Sequence, residues 1–421
     1  MTELSFPENF MWGAATSSHQ VEGNNFFNDW WKWEQNGNTP ASLMACDHYT
    51  RFKEDFLLAK KLGHNAHRLS LEWSRLEKRE NVWDQNEWNH YKSVLDELNK
   101  LGITPIVTLN HFTLPLWFAQ KGAWLNPNSI EIFTRFAEKC IQELGRKVQY
   151  WITINEPHIL AFLAYYYADW PPCKKNFNDA LLALRNMIKS HAKIYTLFHD
   201  YAAVNPHILT PKIGIAKAVT AFHPCRQFSL FDRISTYFRS WMHNYSSVSS
   251  LIKGKILIPG LPKEKLNAKN TLDFIGLNYY FRQFIHYKKL IGEVCDINHH
   301  PNAGETSDMG WEIYPEGIYE TVKSFSRYKI PIMITENGIA TNNDSTRTAY
   351  IKNHLLELLK NINEGAPVIG YMHWSLLDNF EWAEGYSKRF GLIHVDYETQ
   401  TRTIKDSALY YAQIIKTGEI K

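Results

Sequence analysis

Short apolar runs rich in Ile, Val, Thr and aromatic residues recur along the chain, and most of them close on a polar residue. They cover residues 10–16, 64–71, 103–110, 150–156, 212–219, 273–280, 331–338 and 368–378. Near-continuous apolar runs of this length read as strands of a parallel sheet covered on both faces. Between them the period changes to that of a helix. Trp88, Tyr91, Val94, Leu95 and Leu98 mark one face of a helix over 87–100. Phe133, Phe136, Ala137, Cys140, Ile141 and Leu144 do the same over 129–144, with Asn126-Pro127 as a start signal. Ile351, Leu355, Leu358, Leu359 and Ile362 form a third stripe over 347–363, and Gly365 follows as a stop. Each stripe is read as helix-on-sheet core.

Eight strands alternating with helices predict a closed (β/α)8 TIM barrel, an α/β fold. An open doubly wound sheet would alternate too. The dinucleotide-binding members of that class carry G-x-G-x-x-G after the first strand, and this sequence has none there. Strand starts lie about 40–60 residues apart, against the ~30 of a minimal β-α-β unit. The surplus is expected in the loops at the barrel mouth. With no Ser/Gly-rich linker and no repeat, residues 1–421 are read as a single domain.

Composition narrows the class. The 421 residues carry 46 basic and 43 acidic side chains, a net charge of +3, which points to neither nucleic acid nor an acidic membrane as partner. Hydrophobic content of 44% and charged content of 21% are globular values. No apolar run approaches the ~18–20 residues of a membrane span. Aromatic residues reach 14%, which suits a large core or platforms for sugar rings; composition leaves both open. Cysteines at 46, 140, 173, 225 and 295 are odd in number, widely spaced and without a C-x-x-C pair, which argues against a disulfide framework or a zinc site. Cys140 falls on a helical stripe and is read as packing. The start, MTELSFPENF, lacks the basic and apolar regions of a secretory signal, so a cytoplasmic protein is expected.

Two acidic residues end strand-like runs in the same way. Glu156 closes Thr153-Ile154-Asn155-Glu156-Pro157, and Glu336 closes Ile334-Thr335-Glu336-Asn337-Gly338. Pro157 cannot extend a central strand, and Asn337-Gly338 is a turn signal. Both carboxylates are therefore expected at the C-terminal rim of the barrel, where active sites of this fold lie. A buried salt bridge is the bland alternative for either residue alone.

These segments resemble glycoside hydrolase family 1, the β-glucosidase and β-galactosidase family, along essentially the whole chain. TINEP (153–157) is similar to the family's acid/base motif and ITENG (334–338) to its nucleophile motif. FMWGAATSSHQVEG (10–23), DFIGLNYY (273–280) and HWSLLDNFEWAEGYSKRFGLIHVDY (373–397) match in order as well. The resemblance implies a retaining β-glycosidase acting on terminal β-D-glucosyl residues, with β-galactosyl or β-fucosyl as further candidates. It makes Glu336 the nucleophile and Glu156 the general acid and later base, with their carboxyl groups about 5–5.5 Å apart. Arg68 and Tyr280 resemble residues that contact the nucleophile. Asn155 is matched to the sugar 2-hydroxyl, Gln20 and His111 to the 3- and 4-hydroxyls, and Glu381 to the 4- and 6-hydroxyls. Trp382 belongs to the same set, Trp374 is matched to the stacking platform, Asn278 to a rim organiser and Trp311 to the aglycone side.

The chain departs from that pattern at three points. It is short for the family, which trims mouth loops. Phe112-Thr113 replaces the common Trp-Asp pair after His111, and Ala168-Asp169 stands where a glycine-containing turn is common. The substrate expected is a small β-glycoside or oligosaccharide, with no metal or cofactor. Glu381 followed by Trp382 argues against the 6-phospho-β-glycosidase alternative, whose phosphate needs cations. Glu156 argues against the thioglucosidase branch, which carries Gln there. A transglycosidase shares the same intermediate. A non-catalytic sugar-binding barrel would have no use for both carboxylates.

Overall fold

A computed structural model describes residues 5–288 and 292–420. Eight parallel strands close into a barrel: Met11–Ala15, Ala66–Ser70, Thr104–Asn110, Tyr150–Asn155, Lys212–Pro224, Phe274–His286, Ile332–Asn337 and Val368–Trp374. Each pairs with its sequence neighbour, and the eighth closes on the first through Met11↔Gly370 to Ala15↔Trp374. This is the (β/α)8 TIM barrel expected from the alternation, and each strand lies on one of the apolar runs.

Side chains alternate between two cores, as a closed pleated sheet requires. Ala15, Ala66, Ile106, Ile152, Ala216, Phe274, Met333 and Met372 fill the barrel interior. Their outward neighbours, such as Val107, Trp151, Ile215 and Ile334, pack under the helices. Small residues on some strands and bulky ones on others keep the interior filled and closed beneath the mouth.

The three helical stripes become the helices Gln85–Lys100, Ser129–Leu144 and Asp344–Asn363. Asp84 and Asn343 cap the first and third, their side chains accepting from backbone N–H groups of the first turn. Cys140 is buried. The longest helix, Phe177–Val204, was not among the stripes recognised in the sequence. Among the described residues no helix is long and apolar enough to cross a membrane.

One expectation is corrected. Cys225 and Cys295 form a disulfide across 70 residues of sequence. Their Cα atoms stand 6.6 Å apart because the fifth and sixth strands run on beyond the barrel, side by side, to Pro224 and His286. Spacing along the chain carries no sign of that extension. Cys46, Cys140 and Cys173 are unpaired.

Candidate active site

The fourth strand delivers Glu156 to the rim and then stops. Glu156 itself adopts left-handed backbone, φ 44°, before Pro157 opens the helix Pro157–Phe162. Such backbone is costly for a residue with a side chain and is concentrated at functional sites. The seventh strand delivers Glu336, two places before Gly338. A Cβ at Gly338 would meet the Trp374 carbonyl oxygen at 1.7 Å, so the glycine there is a steric requirement. Both glutamates are buried, and both line one cavity of about 290 Å³ at the C-terminal end of the barrel.

The two carboxylates receive different partners. Arg68 Nη1 donates to Glu336 Oε1 at 2.5 Å, and Tyr280 Oη donates to Glu336 Oε2 at 2.6 Å. A buried guanidinium and a phenol therefore hold the two oxygens of Glu336 in place. Glu156 has a single amide donor, Asn278 Nδ2 at 2.8 Å. Burial first and the Glu336 charge second push its carboxyl up to about 8. Glu156 is thus held protonated beside a carboxyl group that receives two strong donors.

Asn155 connects the two halves, and its orientation can be deduced. Arg68 can only donate, so the Asn155 atom facing Arg68 Nη2 at 2.7 Å must be the carbonyl oxygen, which also accepts from Asn278 at 3.0 Å. The Asn155 amide nitrogen then donates to His111 Nε2 at 3.1 Å. His111 is buried beside Arg68; burial and then that charge keep its imidazole neutral. With Nε2 accepting, the proton sits on Nδ1, which has no partner among the described residues. Nδ1 is itself buried, so this donor lies within the wall of the cavity that His111 lines.

Burial and the Glu336 charge push the Glu381 carboxyl up to about 8 as well. Trp374 and Trp382 both lie nearly parallel to His111, at ring-centroid distances of 5.9 and 6.0 Å. Trp311 packs on Tyr280 and Phe281 at the opposite wall.

Of the residues singled out in the sequence, His111, Asn155, Glu156, Asn278, Tyr280, Trp311, Glu336, Trp374, Glu381 and Trp382 line this cavity. Arg68 and Gln20 do not. Arg68 is buried beneath it. The Gln20 amide is spent on Ser17, Asn379, the Phe380 carbonyl and Glu381, which places it behind Glu381. The departures from the family pattern are structured. Phe112, at φ 71°, packs its ring on Trp170 and Trp382, and Thr113 donates to Glu72. Ala168 holds the left-handed backbone, φ 66°, for which a glycine is favoured.

Sequence reasoning missed Thr335, whose hydroxyl donates to Asn278 Oδ1 at 2.6 Å and so turns the amide nitrogen toward Glu156. It also missed Thr108, which accepts from Arg68 Nε at 3.2 Å. A polar residue inside an apolar strand was the available signal for each. Among the described residues no group of three or more His, Cys, Asp or Glu side chains is disposed to hold a metal ion.

Comparison with known proteins agrees with this architecture. The family described as glycosyl hydrolase family 1 matches residues 2–420. A 1,4-β-D-glucan glucohydrolase of Thermotoga neapolitana is 33% identical over 98% of both chains. The solved β-glycosidase from Pyrococcus horikoshii superimposes with a TM-score of 0.92 at 38% identity, covering 100% of this chain and 97% of that one. The Thermotoga maritima β-glucosidase in complex with glucoimidazole gives 0.90 at 32% identity, over 99% of this chain and 100% of the other.

Proposed function

We propose, from the premise that the chain belongs to glycosyl hydrolase family 1 and is an O-glycosyl hydrolase, that it is a retaining β-glucosidase which removes terminal β-D-glucosyl residues. The observation that carries this reading is the unequal treatment of two carboxyl groups in one cavity: a guanidinium and a phenol on Glu336, burial and a raised proton affinity on Glu156.

In the first step a Glu336 carboxylate oxygen bonds to the anomeric carbon as the glycosidic C–O bond breaks. The Glu156 proton passes to the departing oxygen. Ester formation removes the Glu336 charge, one of the two influences that raise Glu156, so Glu156 is left as a base. It then takes a proton from water, whose oxygen attacks the anomeric carbon and releases Glu336. Two inversions return the β configuration.

Asn155, held between Arg68 and Asn278, is placed for the 2-hydroxyl, where a hydrogen bond strengthens in the transition state. His111 and Glu381 serve the remaining hydroxyls, with Gln20 acting on them through Glu381. Trp374 covers the apolar sugar face, Trp382 joins the hydroxyl-binding set, Tyr280 also aims Glu336, Asn278 orders the rim, and Trp311 borders the leaving group. A 6-phosphosugar is disfavoured, because the described residues that line the cavity include Glu381 and Glu384 and no Lys or Arg to pair with the phosphate.

The test is the anomer released from 4-nitrophenyl β-D-glucoside, read by NMR before mutarotation. β-Glucose is expected first; α-glucose, or no release, overturns the proposal. A 2-deoxy-2-fluoroglucosyl label trapped on the peptide bearing Glu336 would identify the nucleophile.

A further inference from the structure

Beyond the sugar cavity lies a second chamber of about 220 Å³. Ile159, Leu163, Thr220 and Phe281 border both, so the two adjoin on the side of the helix that begins after Glu156. That is the side from which a proton reaches the departing oxygen. Phe162, Tyr166, Phe177 and Phe222 supply aromatic walls.

The polar side chains around this chamber are all basic or neutral. Arg239 lines it and makes no hydrogen bond or ion pair among the described residues. His158 and His243 line it too, and His158 Nδ1 and His243 Nε2 are buried without partners among those residues. Ser246 spends its hydroxyl hydrogen on the Met242 carbonyl, so His158 Nε2 must donate to Ser246 Oγ, and His158 Nδ1 is an open acceptor.

Behind this wall sits Lys217. Ala216 belongs to the barrel interior and Ala218 to the sugar cavity, so Lys217 between them points outward beneath the helices. It is fully buried, its side-chain nitrogen donates to the Ala218 carbonyl at 2.8 Å, and burial pushes its proton affinity down to about 7; burial first and Lys217 second lower both imidazoles. The single carboxylate that acts on it is Glu156.

Arg239 is half-buried and faces no carboxylate among the described residues that line the chamber, and a guanidinium set beside aromatic walls is a site that an anion completes. We propose that this chamber binds the leaving group of an acidic aryl β-glucoside: an aromatic ring lies between the walls and its carboxylate meets Arg239. The ligand class is a phenolic acid carried as the aglycone. The inference rests on the glycosidase reading above and adds a substrate class to it.

The experiment compares kcat/KM at pH 7 for the 4-O-β-glucoside of 4-hydroxycinnamic acid and for its methyl ester, with 4-nitrophenyl β-glucoside as reference. The ester withdraws electrons more strongly, so leaving-group chemistry alone favours the ester; a preference for the acid must come from binding. One charge-assisted contact predicts that the acid is favoured at least about tenfold. Arg239→Gln should bring the ratio to within about twofold of one, and Arg239→Lys should retain part of it. An acid-to-ester ratio at or below one, or a preference that survives in Arg239→Gln, overturns the site while cleavage of the reference keeps the glycosidase reading. Failure to cleave any of the three overturns both.

Discussion

Replacing Thr335 by Val tests the chain of donors that sets Glu156. The two side chains are nearly the same shape, and Thr335 is fully buried, so the change removes one hydroxyl and little else. What is lost is the 2.6 Å bond to Asn278 Oδ1, and that oxygen has no other donor. Removing the donor and stranding the buried carbonyl costs about 1–3 kcal/mol. Unfolding entropy of ~2.1 cal/mol/K per residue amounts to ~0.9 kcal/mol/K over the 421 residues, so Tm should fall by about 1–3 °C. Function should shift in a definite direction. Asn278 Nδ2 stabilises the Glu156 carboxylate; loosening it raises the proton affinity of Glu156 further. Because Glu156 must be protonated to act as acid, the alkaline limb of the kcat/KM profile should move to higher pH. Thr335→Ser keeps a hydroxyl and should leave the limb in place. A Val variant with wild-type Tm and an unmoved alkaline limb would refute the reasoning.

Glu336→Gln should lower kcat by several orders of magnitude with near-UV circular dichroism unchanged; residual activity near wild type would remove it from the nucleophile role. Glu156→Gln should slow glucosides of poor leaving groups most, with azide restoring turnover of activated ones as the β-azide; equal losses on both substrates would contradict an acid role. Glu381 carries its proton up to about 8, against 4.5 for an ordinary glutamate, so its stabilising effect is complete below pH 4.5 and lost as pH rises through 8. Glu381→Gln should therefore raise Tm relative to wild type at pH 8, by an amount on the order of a few kcal/mol in stability, and change little at pH 4; equal differences at both pH values would contradict this.

The barrel was legible because buried parallel strands are locally apolar, and eight such runs cannot be hidden. Their lengths were not. The fifth and sixth strands continue through Thr220, His223, Arg282 and Gln283, polar residues that pair above the barrel without a core to announce them. The helix Phe177–Val204 escaped notice for a related reason: its buried face includes Asn186, Ser190 and His191. Asn186 donates to the Trp124 carbonyl, Ser190 to the Asn186 carbonyl, and His191 bonds Thr153 and Thr271, so a polar residue stood where an apolar one would have completed the stripe. In the site, carboxylates at strand ends were conspicuous. What could not be read was which atom of an amide faces which neighbour, since that depends on Arg68 and Thr335 reaching across strands far apart in sequence. Gln20 shows the same limit: its place in a motif gave its neighbourhood, but not that its amide would be consumed by the protein.

Arg68 comes from the second strand, yet its guanidinium holds Thr108 on the third, Asn155 at the end of the fourth, and Glu336 with the Thr335 carbonyl on the seventh. One side chain thus acts as a keystone whose voussoirs are made at different times. A chain emerging from the ribosome can close its first four staves and still be chemically silent, because the anion that completes the arch is synthesised more than two hundred residues after its partner. Competence arrives with closure of the ring and is not accumulated piece by piece.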